Sequence, residues 1–562
     1  MEKMSGARSL MVALEKEGAN IVFGLPGGAN LPIYDELYKS NIRHILVRHE
    51  QSASHMADGF GRVSRRPGVC FATSGPGATN IVTGIATAQA DSAPMIAITG
   101  QVPTKMIGRD AFQESDIIGI TTPIVKYAFQ PTNAAEIPEV VKKAFYISAT
   151  GRPGPVLIDI PKDVQQNEAE MIFPQEVKIR GYHPWVDPDI RDIERAIDML
   201  LASERPVILA GGGVIISGAF AELQSIAELL MIPVVTTFKG KGSFPENHAL
   251  SLGPIGMHGH AEANKIMVEA DCVLACGSRF SDRSVGKFED FEKNLKIIHM
   301  DVDPAEIGKN QTTQIAVVGD LRASLRIMVK MLIQKAIKRG GENPWLKRVN
   351  ETREYFRQNL KLHPHPLGAA KVLRKLREVL PPQSIVTTEV GQHQMWASLF
   401  FDVIHPGTFF SSTGLGTMGW GFPAAIGAKA AKPDVPVLDI AGEGSFNMTE
   451  NSLAVSVLDN LPVIVLLMNN FSLGMVAQWQ RTFYDRRMMG IDLKNCPDYV
   501  KVAEAYGAQG IRAESIDEVG KAVQTALKSN VATVIDIPID PQEDVLPFVA
   551  PGTSLKDMIL PS

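Results

Sequence analysis

Short apolar runs alternate with stretches of helical length along almost the whole chain, and this alternation constrains the fold more than any other feature. Parallel strands need a helical crossover and are buried on both faces, so such runs indicate doubly wound parallel sheets of the α/β class. The predicted strands cover residues 21–23, 44–47, 68–72, 94–99, 156–160, 206–210, 233–236, 272–275, 296–301, 385–388, 435–440, 463–468 and 533–537.

The chain is too long for a single core, since 562 residues correspond to about three domains of ordinary size. The predicted units are residues 1–165, 188–330 and 366–545, followed by a C-terminal tail at 546–562. Residues 165–187 are rich in Glu, Pro and Lys without a clear period and are predicted to be a linker. The charged residues 330–365 are predicted to form a second, partly helical linker.

Composition excludes several classes of protein. A hydrophobic content of 45%, a charged content of 21% and a formal net charge of −5 are typical of a globular enzyme and give no argument for a nucleic-acid partner. No apolar run reaches membrane-spanning length and no signal sequence opens the chain, so no membrane association is expected. Four cysteines indicate a reduced, intracellular protein, either cytoplasmic or in an organelle after removal of a transit peptide. Cys272 and Cys276 are predicted to be buried thiols rather than metal ligands.

An acidic residue and an asparagine follow two successive predicted strands near the C-terminal end. Glu443 stands between two glycines after the strand at 435–440, and Asn470 follows the strand at 463–468. The carboxyl ends of parallel strands meet at one sheet edge, where ligands bind. A carboxylate and an amide oxygen there suit a hard cation such as Mg²⁺, which takes the rest of its shell from water and a phosphate.

Two glycine-rich turns echo each other in the first and third units. Residues 73–78 read Thr-Ser-Gly-Pro-Gly-Ala and residues 412–417 read Ser-Thr-Gly-Leu-Gly-Thr, and each run precedes a helical stretch. Backbone N–H groups of such turns can face a ligand. Either turn alone is a weak signal, but two in corresponding places indicate duplicated folds that grip opposite ends of one molecule.

A series of ordered motifs covers essentially the whole chain. They are Gly24-Leu-Pro-Gly-Gly-Ala29, Arg48-His-Glu-Gln51, Ser74-Gly-Pro-Gly-Ala-Thr-Asn80, Thr99-Gly-Gln-Val-Pro103, Asp110-Ala-Phe-Gln-Glu114, Gly151-Arg-Pro-Gly-Pro155, Gly256-Met-His-Gly259, Val390-Gly-Gln-His-Gln-Met-Trp396 and Gly474-Met-Val-Ala-Gln-Trp-Gln480. Together with the segments around Glu443 and Asn470, they resemble the thiamine diphosphate enzymes, and specifically the large catalytic subunits of acetohydroxyacid synthase, also called acetolactate synthase.

This resemblance implies the order of the domains. Residues 1–165 would be the pyrimidine-binding domain, residues 188–330 the central FAD-binding domain and residues 366–545 the diphosphate-binding domain, all three doubly wound. It also implies active sites between two subunits of a homodimer or homotetramer, and it leaves room for a small regulatory subunit.

The resemblance further implies the thiamine-binding residues. Glu50 would supply the carboxylate that hydrogen-bonds the aminopyrimidine ring, from the subunit opposite the one that holds the diphosphate. Met418 would be the apolar wedge beneath the cofactor, although Met at this spacing is ordinarily core. The Gly416 carbonyl would accept a hydrogen bond from the amino group of the cofactor. The residues implied to contact the diphosphate are Val390, Gly391, Gln392, His393, Gly444, Ser445 and Met475.

Position 443 departs from the family pattern. The resemblance implies that the metal is held by Glu443, Asn470 and the main-chain carbonyl of Ser472, but the family almost always has Asp at the first position. Glutamate is longer by one methylene, and Mg²⁺ demands near-octahedral geometry. Three alternatives follow: the backbone shifts and Glu443 still ligates, metal affinity falls, or binding occurs through water. We favour retained ligation with lower affinity. Glu389 also stands where Asp is common, outside the set of metal ligands.

A flavin-contacting set is implied in the same way. It consists of Arg152, Gly212, Gly213, His258, Gly277, Arg279, Arg283, Asp301 and Asp320. The glycine run at 211–213 after an apolar strand is equally compatible with a simple tight turn. FAD does no net redox work in this family, so the chemistry would lie on thiamine.

The substrate side would be formed by four residues. Trp479 matches the family tryptophan that favours 2-ketobutyrate as second substrate, because the indole contacts the extra methyl group, a contact worth about 1 to 3 kcal/mol. Gly27, Gln113 and Lys162 match positions that line the substrate channel. A solvated helix start is the alternative for Lys162.

The function implied is that of an acetolactate synthase, in which pyruvate is decarboxylated and ligated to a second 2-ketoacid, pyruvate or 2-ketobutyrate. This is the first common step towards valine, leucine and isoleucine. The alternatives are another thiamine diphosphate carboligase, decarboxylase or pyruvate oxidase, or a catalytically weakened regulatory or scaffolding paralogue, which Glu443 motivates. Glu50, Trp479 and Arg283 favour the first function.

Overall fold

Three six-stranded parallel sheets dominate the computed structural model, which describes residues 2–184, 186–291, 295–337 and 343–561. The first sheet and its flanking elements comprise β1 (Glu2–Ser5), α1 (Gly6–Lys16), β2 (Ile21–Gly24), α2 (Leu31–Tyr38), β3 (Arg43–Leu46), α3 (Glu50–Ser64), β4 (Gly68–Ala72), α4 (Pro76–Asn80), α5 (Val82–Ala90), β5 (Met95–Gln101), α6 (Ile117–Thr121), β6 (Tyr127–Phe129), α7 (Ile137–Ala149), β7 (Pro155–Pro161), α8 (Lys162–Gln166) and β8 (Glu168–Met171).

The second unit follows along the chain. It comprises α9 (Ile190–Ala202), β9 (Pro206–Ala210), α10 (Gly212–Ser217), α11 (Phe220–Leu230), β10 (Val234–Thr236), β11 (Ser251–Pro254), α12 (Ala261–Glu269), β12 (Cys272–Cys276), α13 (Asp282–Val285), α14 (Phe288–Phe291), β13 (Lys296–Asp301), β14 (Ile315–Val318) and α15 (Leu321–Gln334). Helix α16 (Pro344–Asn359) leads to the third unit.

The third unit repeats the arrangement. It comprises α17 (Ala369–Val379), β15 (Ile385–Thr388), α18 (Gln392–Phe400), β16 (Phe409–Ser411), α19 (Gly421–Ala431), β17 (Val437–Ala441), α20 (Glu443–Phe446), α21 (Leu453–Leu458), β18 (Ile464–Asn469), α22 (Gly474–Phe483), α23 (Tyr499–Ala505), β19 (Gln509–Arg512), α24 (Ile516–Ser529) and β20 (Thr533–Pro538). Short 3₁₀ turns lie at Thr104–Met106, Thr122–Ile124, Ala134–Glu136 and Glu450–Ser452.

The first and third sheets have the same topology. Their strand orders are β3-β2-β4-β5-β7-β6 and β16-β15-β17-β18-β20-β19, which become identical when the strands of each six-stranded sheet are counted along the chain. The expectation that the two glycine-rich turns stand in corresponding places is wrong, because the turn at 73–78 follows β4, the third strand of its sheet along the chain, whereas the turn at 412–417 follows β16, the second strand of its sheet. In both sheets the strand order reverses beside the first strand of the sheet, β2 or β15, and ligands of doubly wound sheets bind at such a reversal.

The second sheet has a different order, β11-β10-β9-β12-β13-β14, which counts as 3-2-1-4-5-6 within the unit. This is the strand order of dinucleotide-binding folds, with the ligand crevice at the carboxyl ends of the two central strands. Here those strands are β9 and β12, and they are followed by the segments that begin at Gly211 and Gly277.

The predicted fold class is confirmed, and every predicted strand is present with ends that differ by no more than two residues. The strands that the sequence did not predict within the large sheets are β6, β11, β14, β16 and β19, and all of these lie at sheet edges. Edge strands have a neighbour on one side only, so they tolerate shorter and more polar sequences that lack a continuous apolar run.

The predicted linker at 165–187 needs a correction. Part of it, β8, pairs antiparallel with β1 to form a separate two-stranded sheet. The charged sequence of β8 hides this pairing, because its partner lies at the opposite end of the first unit. The second linker is partly helical as predicted, through α15 and α16, while its residues 338–342 lie outside the described residues.

The C-terminal tail packs against the second unit. Val549 N–H donates to the Met257 carbonyl at 2.8 Å, and Val549 and Leu555 belong to the apolar core of the second unit. The tail therefore crosses back from the third unit to cover part of the second.

The first and third units are joined by helices α3 and α19, which follow equivalent strands. A Cβ atom added at Gly59 would lie 2.2 Å from the Ala424 carbonyl oxygen, and one added at Gly427 would lie 1.9 Å from the Met56 carbonyl oxygen. Residue 59 thus meets 424 while 56 meets 427, so the helices run antiparallel. Glycine at both points allows the two backbones to touch.

Two further expectations concern the cysteines and membrane-spanning segments. Cys70, Cys272 and Cys276 are buried and unpaired, and burial raises the pKa of the Cys276 thiol to about 12. Among the described residues, no helix is both long and apolar enough to cross a membrane.

Substitution of Gly427 by Ala should lower the thermal unfolding temperature. The new methyl group would collide with the Met56 carbonyl, and overpacking of this kind costs about 1–3 kcal/mol, which outweighs the roughly 1 kcal/mol that alanine gains over glycine in a helix. Gly520→Ala on α24 is the matched control, because a Cβ there meets only the flexible end of Lys375. Equal unfolding temperatures for the two variants would contradict the close helix contact.

Candidate active site

Glu443 and Asn470 come together at the carboxyl edge of the third sheet, after the adjacent parallel strands β17 and β18. The Ser472 N–H donates to Glu443 Oε1 at 2.7 Å and to Asn470 Oδ1 at 3.0 Å. Glu443 is only 1% exposed, and burial raises the pKa of its carboxyl to about 7. Among the described residues no lysine or arginine forms an ion pair with it.

The chemistry of this donor set fits a divalent cation. A buried carboxylate without a cationic partner is costly, and an oxygen-seeking cation beside it would offset that cost. Across residues 2–184, 186–291, 295–337 and 343–561, no group of three or more His, Cys, Asp or Glu side chains is arranged to hold a metal. The predicted site is of a different kind, since it combines one carboxylate with amide and main-chain oxygens.

Gln392 and His393 open helix α18 next to the same edge. Gln392 Oε1 accepts from Asn470 Nδ2 at 3.1 Å, and Gln392 Nε2 donates to Gln478 Oε1 at 3.0 Å. The Gln392 side chain is therefore occupied in supporting Asn470.

The His393 ring is buried beside Gly442. A Cβ added at Gly442 would lie 2.5 Å from His393 Nδ1, while His393 Nε2 is buried without a hydrogen-bond partner in the described part of the chain. Burial lowers the pKa of His393 to about 3. Because the ring also bonds to the Glu389 backbone, Nε2 is the ring nitrogen that remains for a ligand.

The other predicted diphosphate residues lie around this point. Val390 N–H donates to Ser445 Oγ at 3.3 Å. Gly444 packs beneath Leu473, whose side chain would be 2.6 Å from an added Cβ. Met475 lies in the first turn of α22.

Glu389 has a larger role than its position outside the metal ligands suggested. Its carboxylate is fully buried and accepts from Gly419 N–H at 2.8 Å, Phe422 N–H at 2.9 Å and Ser445 Oγ at 2.6 Å. Burial raises its pKa, and the nearby buried Asp439 shares this upward shift. Glu389 therefore links the turn that carries Met418 to helix α20, which carries Ser445.

Glu50 lies at the corresponding edge of the first sheet, at the start of α3. Asn80 Nδ2 donates to Glu50 Oε2 at 2.9 Å, and a Cβ added at Gly77 would lie 3.3 Å from Glu50 Oε1. The carboxylate is 7% exposed. In the described residues, no hydrogen bond or ion pair joins it to the third unit.

Gly27 and Gln113 approach the same turn as Glu50. The Thr73 side chain lies within 2.7 Å of a Cβ added at Gly27, and the Gln113 backbone lies 2.9 Å from one added at Gly75. Lys162 is half-buried at the end of β7, on the same edge, and no described contact joins it to Glu50.

A cavity of about 820 Å³ lies between the three units. All of the predicted flavin residues line it, namely Arg152, Gly212, Gly213, His258, Gly277, Arg279, Arg283, Asp301 and Asp320. The thiamine-site candidates Val390, Gly416 and Met475 and the substrate-side candidate Trp479 also reach it. Its volume lies within the range of ligand pockets.

The cavity floor is built at the strand reversal of the second sheet. Gly213 N–H donates to the Gly277 carbonyl at 3.0 Å, and a Cβ on Gly277, whose φ is +59°, would lie 2.5 Å from Gly213 Cα. Only glycine allows this approach, and it leaves a backbone cradle open to the cavity. Burial raises the pKa of the neighbouring Asp301 carboxyl to about 6.

Polar groups in the cavity wall support a ligand. His258 stacks on Phe548 of the tail with ring centroids 5.2 Å apart, and its Nδ1 is buried without a partner among the described residues. Arg152 is held by Asp303 and Glu306 at 3.0 and 2.6 Å. The cradle, the unpartnered nitrogen and the strand order together fit a dinucleotide.

Trp479 and Arg283 meet where the cavity approaches the third unit. The Arg283 guanidinium carbon lies 5.9 Å from the Trp479 ring centroid, and Trp479 Nε1 is buried without a partner in the described structure. Two residues predicted for different ligands are thus in contact.

Comparisons with known proteins agree with this geometry. Models of the thiamine pyrophosphate enzymes match the chain as an N-terminal TPP-binding domain at residues 4–120, a central domain at 193–328 and a C-terminal TPP-binding domain at 389–537. The chain is 49% identical to the probable acetolactate synthase large subunit of Methanocaldococcus jannaschii, over 99% of this chain and 95% of that protein. The chain belongs to the acetolactate synthase large-subunit family.

Other relatives come from distant organisms. The acetolactate synthase large subunit of Corynebacterium glutamicum is 44% identical over 99% of this chain and 90% of its own length. That of Cyanidium caldarium is 43% identical over 99% of this chain and 96% of its own length. As a member of the acetolactate synthase family, the chain is a thiamine diphosphate enzyme.

A charged cluster in this acetolactate synthase family member was not predicted from its sequence. Arg62 donates to Asp58 at 2.6 Å and to Asp91 at 3.1 Å, and Lys239 Nζ lies 3.2 Å from Asp91 Oδ1. Trp420 Nε1 donates to Asp58 Oδ2 at 2.7 Å. Residues from all three units meet here, far apart in sequence, and no local motif marks them.

Replacement of Glu443 should change the binding of Mg²⁺ together with thiamine diphosphate. Glu443→Asp should tighten it, because the shorter side chain restores the geometry that a small octahedral ion requires. Glu443→Ala should weaken it by about tenfold or more, in line with the loss of a charged ligand. Quenching of tryptophan fluorescence, titrated with Mg²⁺ at fixed thiamine diphosphate, measures both effects.

Glu450→Asp serves as the matched control, because it shortens a nearby acid outside the donor set and should leave the titration unchanged. Identical curves for wild type and the Glu443 variants would show that Glu443 does not contact the metal. If Asp binds Mg²⁺ more weakly than Glu, the backbone has receded to fit the longer side chain.

Proposed function

We propose that this chain decarboxylates pyruvate and ligates the two-carbon fragment to a second 2-ketoacid, giving 2-acetolactate from pyruvate or 2-aceto-2-hydroxybutyrate from 2-ketobutyrate. The proposal rests on one observation. Glu443 and Asn470 accept hydrogen bonds from the same Ser472 N–H, and the unpartnered Nε2 of His393 lies next to them. A metal-bound diphosphate uses all of these groups.

Each of these groups has a defined task in the proposal. Thiamine diphosphate, when bound, supplies the carbon nucleophile that carries the negative charge left by CO₂. Glu443, Asn470 and the Ser472 carbonyl hold Mg²⁺. The Nε2 atom of His393 faces the diphosphate, and Gln392 keeps Asn470 oriented through its 3.1 Å hydrogen bond.

Glu50 is proposed to hold and release a proton at its Oε1 atom. Asn80 engages Oε2, so Oε1 remains for a ligand above Gly77. A carboxylate that exchanges a proton with a ring nitrogen is a general acid–base group, and such groups contribute about 10²–10⁴-fold to rate.

The antiparallel packing of α3 and α19 supports a homodimer in which Glu50 serves the partner subunit. Arg62, near the C-terminal end of α3, donates to the Ser411 carbonyl at 2.8 Å, just before the turn that carries Gly416 and Met418. Glu50 lies twelve residues earlier on α3, about 18 Å along the helix axis at 1.5 Å per residue. Within one chain the acid and this turn are therefore at opposite ends of the helix.

The cavity between the units is proposed to hold FAD. The strand order of the second sheet, the glycine cradle and the free Nδ1 of His258 support this ligand. In the same proposal, residues 1–165 are the pyrimidine-binding domain, 188–330 the FAD-binding domain and 366–545 the diphosphate-binding domain. The large-subunit names of the relatives support a small regulatory partner.

A product assay tests the function. Full-length protein is supplied with FAD, thiamine diphosphate and several Mg²⁺ concentrations, and is incubated with pyruvate with or without 2-ketobutyrate. Acetolactate from pyruvate alone is the expected product. Release of CO₂ with acetaldehyde only would favour a decarboxylase, and no turnover would favour a weakened paralogue.

Glu50→Gln should retain thiamine diphosphate binding but slow hydrogen–deuterium exchange at C2 of the bound cofactor. The amide cannot donate and recover a proton as a carboxyl does, so a decrease of about 10² or more is expected. Exchange is followed by NMR after acid quench. Asp35→Asn, an exposed acid on α2, is the control. An unchanged exchange rate in Glu50→Gln would refute the assignment.

Trp479→Leu should reduce the preference for 2-ketobutyrate over pyruvate by about tenfold, because a methyl contact in an apolar pocket is worth about 1–3 kcal/mol. Acetolactate formation from pyruvate alone should persist. The ratio of products from mixed substrates measures the preference. Phe483→Leu is the matched control, because it also replaces an aromatic ring by leucine next to Trp479 while the indole itself is kept. The centroids of the two rings lie 5.8 Å apart. If the ratio does not change, Trp479 is a packing residue.

A further inference from the structure

Asp91 is a buried carboxylate at which all three units meet. It follows α5 of the first unit and accepts from Arg62 Nη2 at 3.1 Å. It also contacts Lys239 of the second unit and the Thr413 turn of the third unit. Burial alone would raise its pKa, but the Lys239 and Arg62 charges hold the pKa of Asp91 below its usual range. It is therefore an anion that depends on cations from two units.

The contacts with the third unit fix one end of a functional turn. Asp91 Oδ1 accepts from Thr413 Oγ1 at 2.8 Å and from Gly414 N–H at 3.0 Å, and Oδ2 accepts from Thr413 N–H at 3.1 Å. One carboxylate thus satisfies two successive backbone donors and a hydroxyl. Rotation of this side chain would release all three.

The other end of the turn is fixed separately. Gly419 N–H donates to Glu389 Oε2 at 2.8 Å, and Thr417 N–H donates to Ser412 Oγ at 3.0 Å. Between these anchors, Leu415 is 50% exposed and Gly416 has a φ of +72°. The turn therefore presents Gly416 and its neighbours outward from two buried anchors.

Lys239 links Asp91 to the cavity. Its side chain lies against Gly212, where an added Cβ would be 2.6 Å from Lys239 Cγ, and it lines the cavity wall. The ammonium group contacts both the carboxylate and the main-chain carbonyl of Asp91, while 23% of the side chain remains exposed. Burial lowers the pKa of Lys239 to about 7 and the Asp91 charge opposes that shift.

We propose that Asp91 is a positioning residue for the turn that carries Gly416 and Met418, and that its contact with Lys239 makes thiamine diphosphate affinity depend on whether the cavity holds FAD. This inference rests on the proposed function, because it takes the two ligands from there.

The direction of the coupling follows from dielectric screening. A ligand in the cavity excludes water from Lys239, and an ion pair is stronger where water is absent. The Asp91 carboxylate is then held more firmly in the orientation that binds Thr413 and Gly414. FAD should therefore tighten thiamine diphosphate binding, and by linkage thiamine diphosphate should tighten FAD binding by the same factor.

Calorimetric titration of the full-length chain tests the coupling. Thiamine diphosphate is titrated at saturating Mg²⁺, with and without saturating FAD, and the ratio of the two dissociation constants is the readout. For wild type a ratio of about five or more is expected, which is the lower range of measured couplings. Lys239→Met, which keeps the bonds from Asp91 to Thr413 and Arg62, should bring the ratio close to one.

Two further variants make the result specific. Asp91→Asn should weaken thiamine diphosphate binding and also remove the coupling. Arg65→Met is the matched control. This substitution removes a positive charge from the same cavity wall, but the Arg65 guanidinium contacts the Phe220 ring and not Asp91. Its ratio should equal that of wild type, whatever its FAD affinity.

The outcomes separate this inference from the proposed function. If wild type binds both cofactors independently, or if Lys239→Met keeps the wild-type ratio, the coupling is overturned and the function stands. A ratio lost in Arg65→Met as well would assign the effect to general cavity charge and overturn the role of Asp91. If wild type binds no FAD at all, the flavin assignment fails and the coupling fails with it.

Discussion

The close contact between α3 and α19 is the constraint on which the arrangement of the first and third units depends. These helices occupy equivalent places in two sheets of identical strand order, so their packing resembles that of a symmetric dimer within one chain. Gly59 and Gly427 allow the two backbones to touch. Larger side chains would force the units apart and would separate Arg62 and Asp58 from the partners they find near Trp420.

Two buried carboxyls in the third unit differ in how their charge can be stabilised. Glu443 and Glu389 lie at the same sheet edge, and burial raises the pKa of both carboxyls. The two differ in their neighbours, because Glu389 accepts three hydrogen bonds whereas Glu443 Oε1 accepts one from Ser472. Removal of a carboxylate from water without a counter-charge costs free energy, and the cation proposed to bind beside Glu443 would offset that cost. Glu389 needs no cation, because two backbone N–H groups and the Ser445 hydroxyl already donate to its carboxylate.

How far the sequence predicts the molecule depends on how local each signal is. Central strands such as β4 and β9 are continuous apolar runs and were predicted with the right ends. The edge strand β19 and the charged strand β8 depend on distant partners, so their own sequences carry little signal. Glu443 and Asn470 were brought together correctly because parallel strands end at a common edge. Asp91 and Lys239 are far apart in the chain, and nothing near either residue predicts their contact.

The two kinds of sheet in the chain divide the work of binding. In the first and third sheets the order reverses beside the first strand, and those reversals carry Glu50's neighbours Gly27 and Gly77 in one unit and Glu443 in the other. The second sheet has the dinucleotide order and opens onto the large cavity. The turn after β16 is bonded to the carboxylate of Asp91 in the first unit, and Asp91 in turn pairs with the ammonium of Lys239 in the second unit. A ligand in the cavity and a ligand at the third sheet therefore share one buried charge. Under the proposed coupling, a ligand in the cavity would therefore govern the affinity of the third sheet for its own ligand.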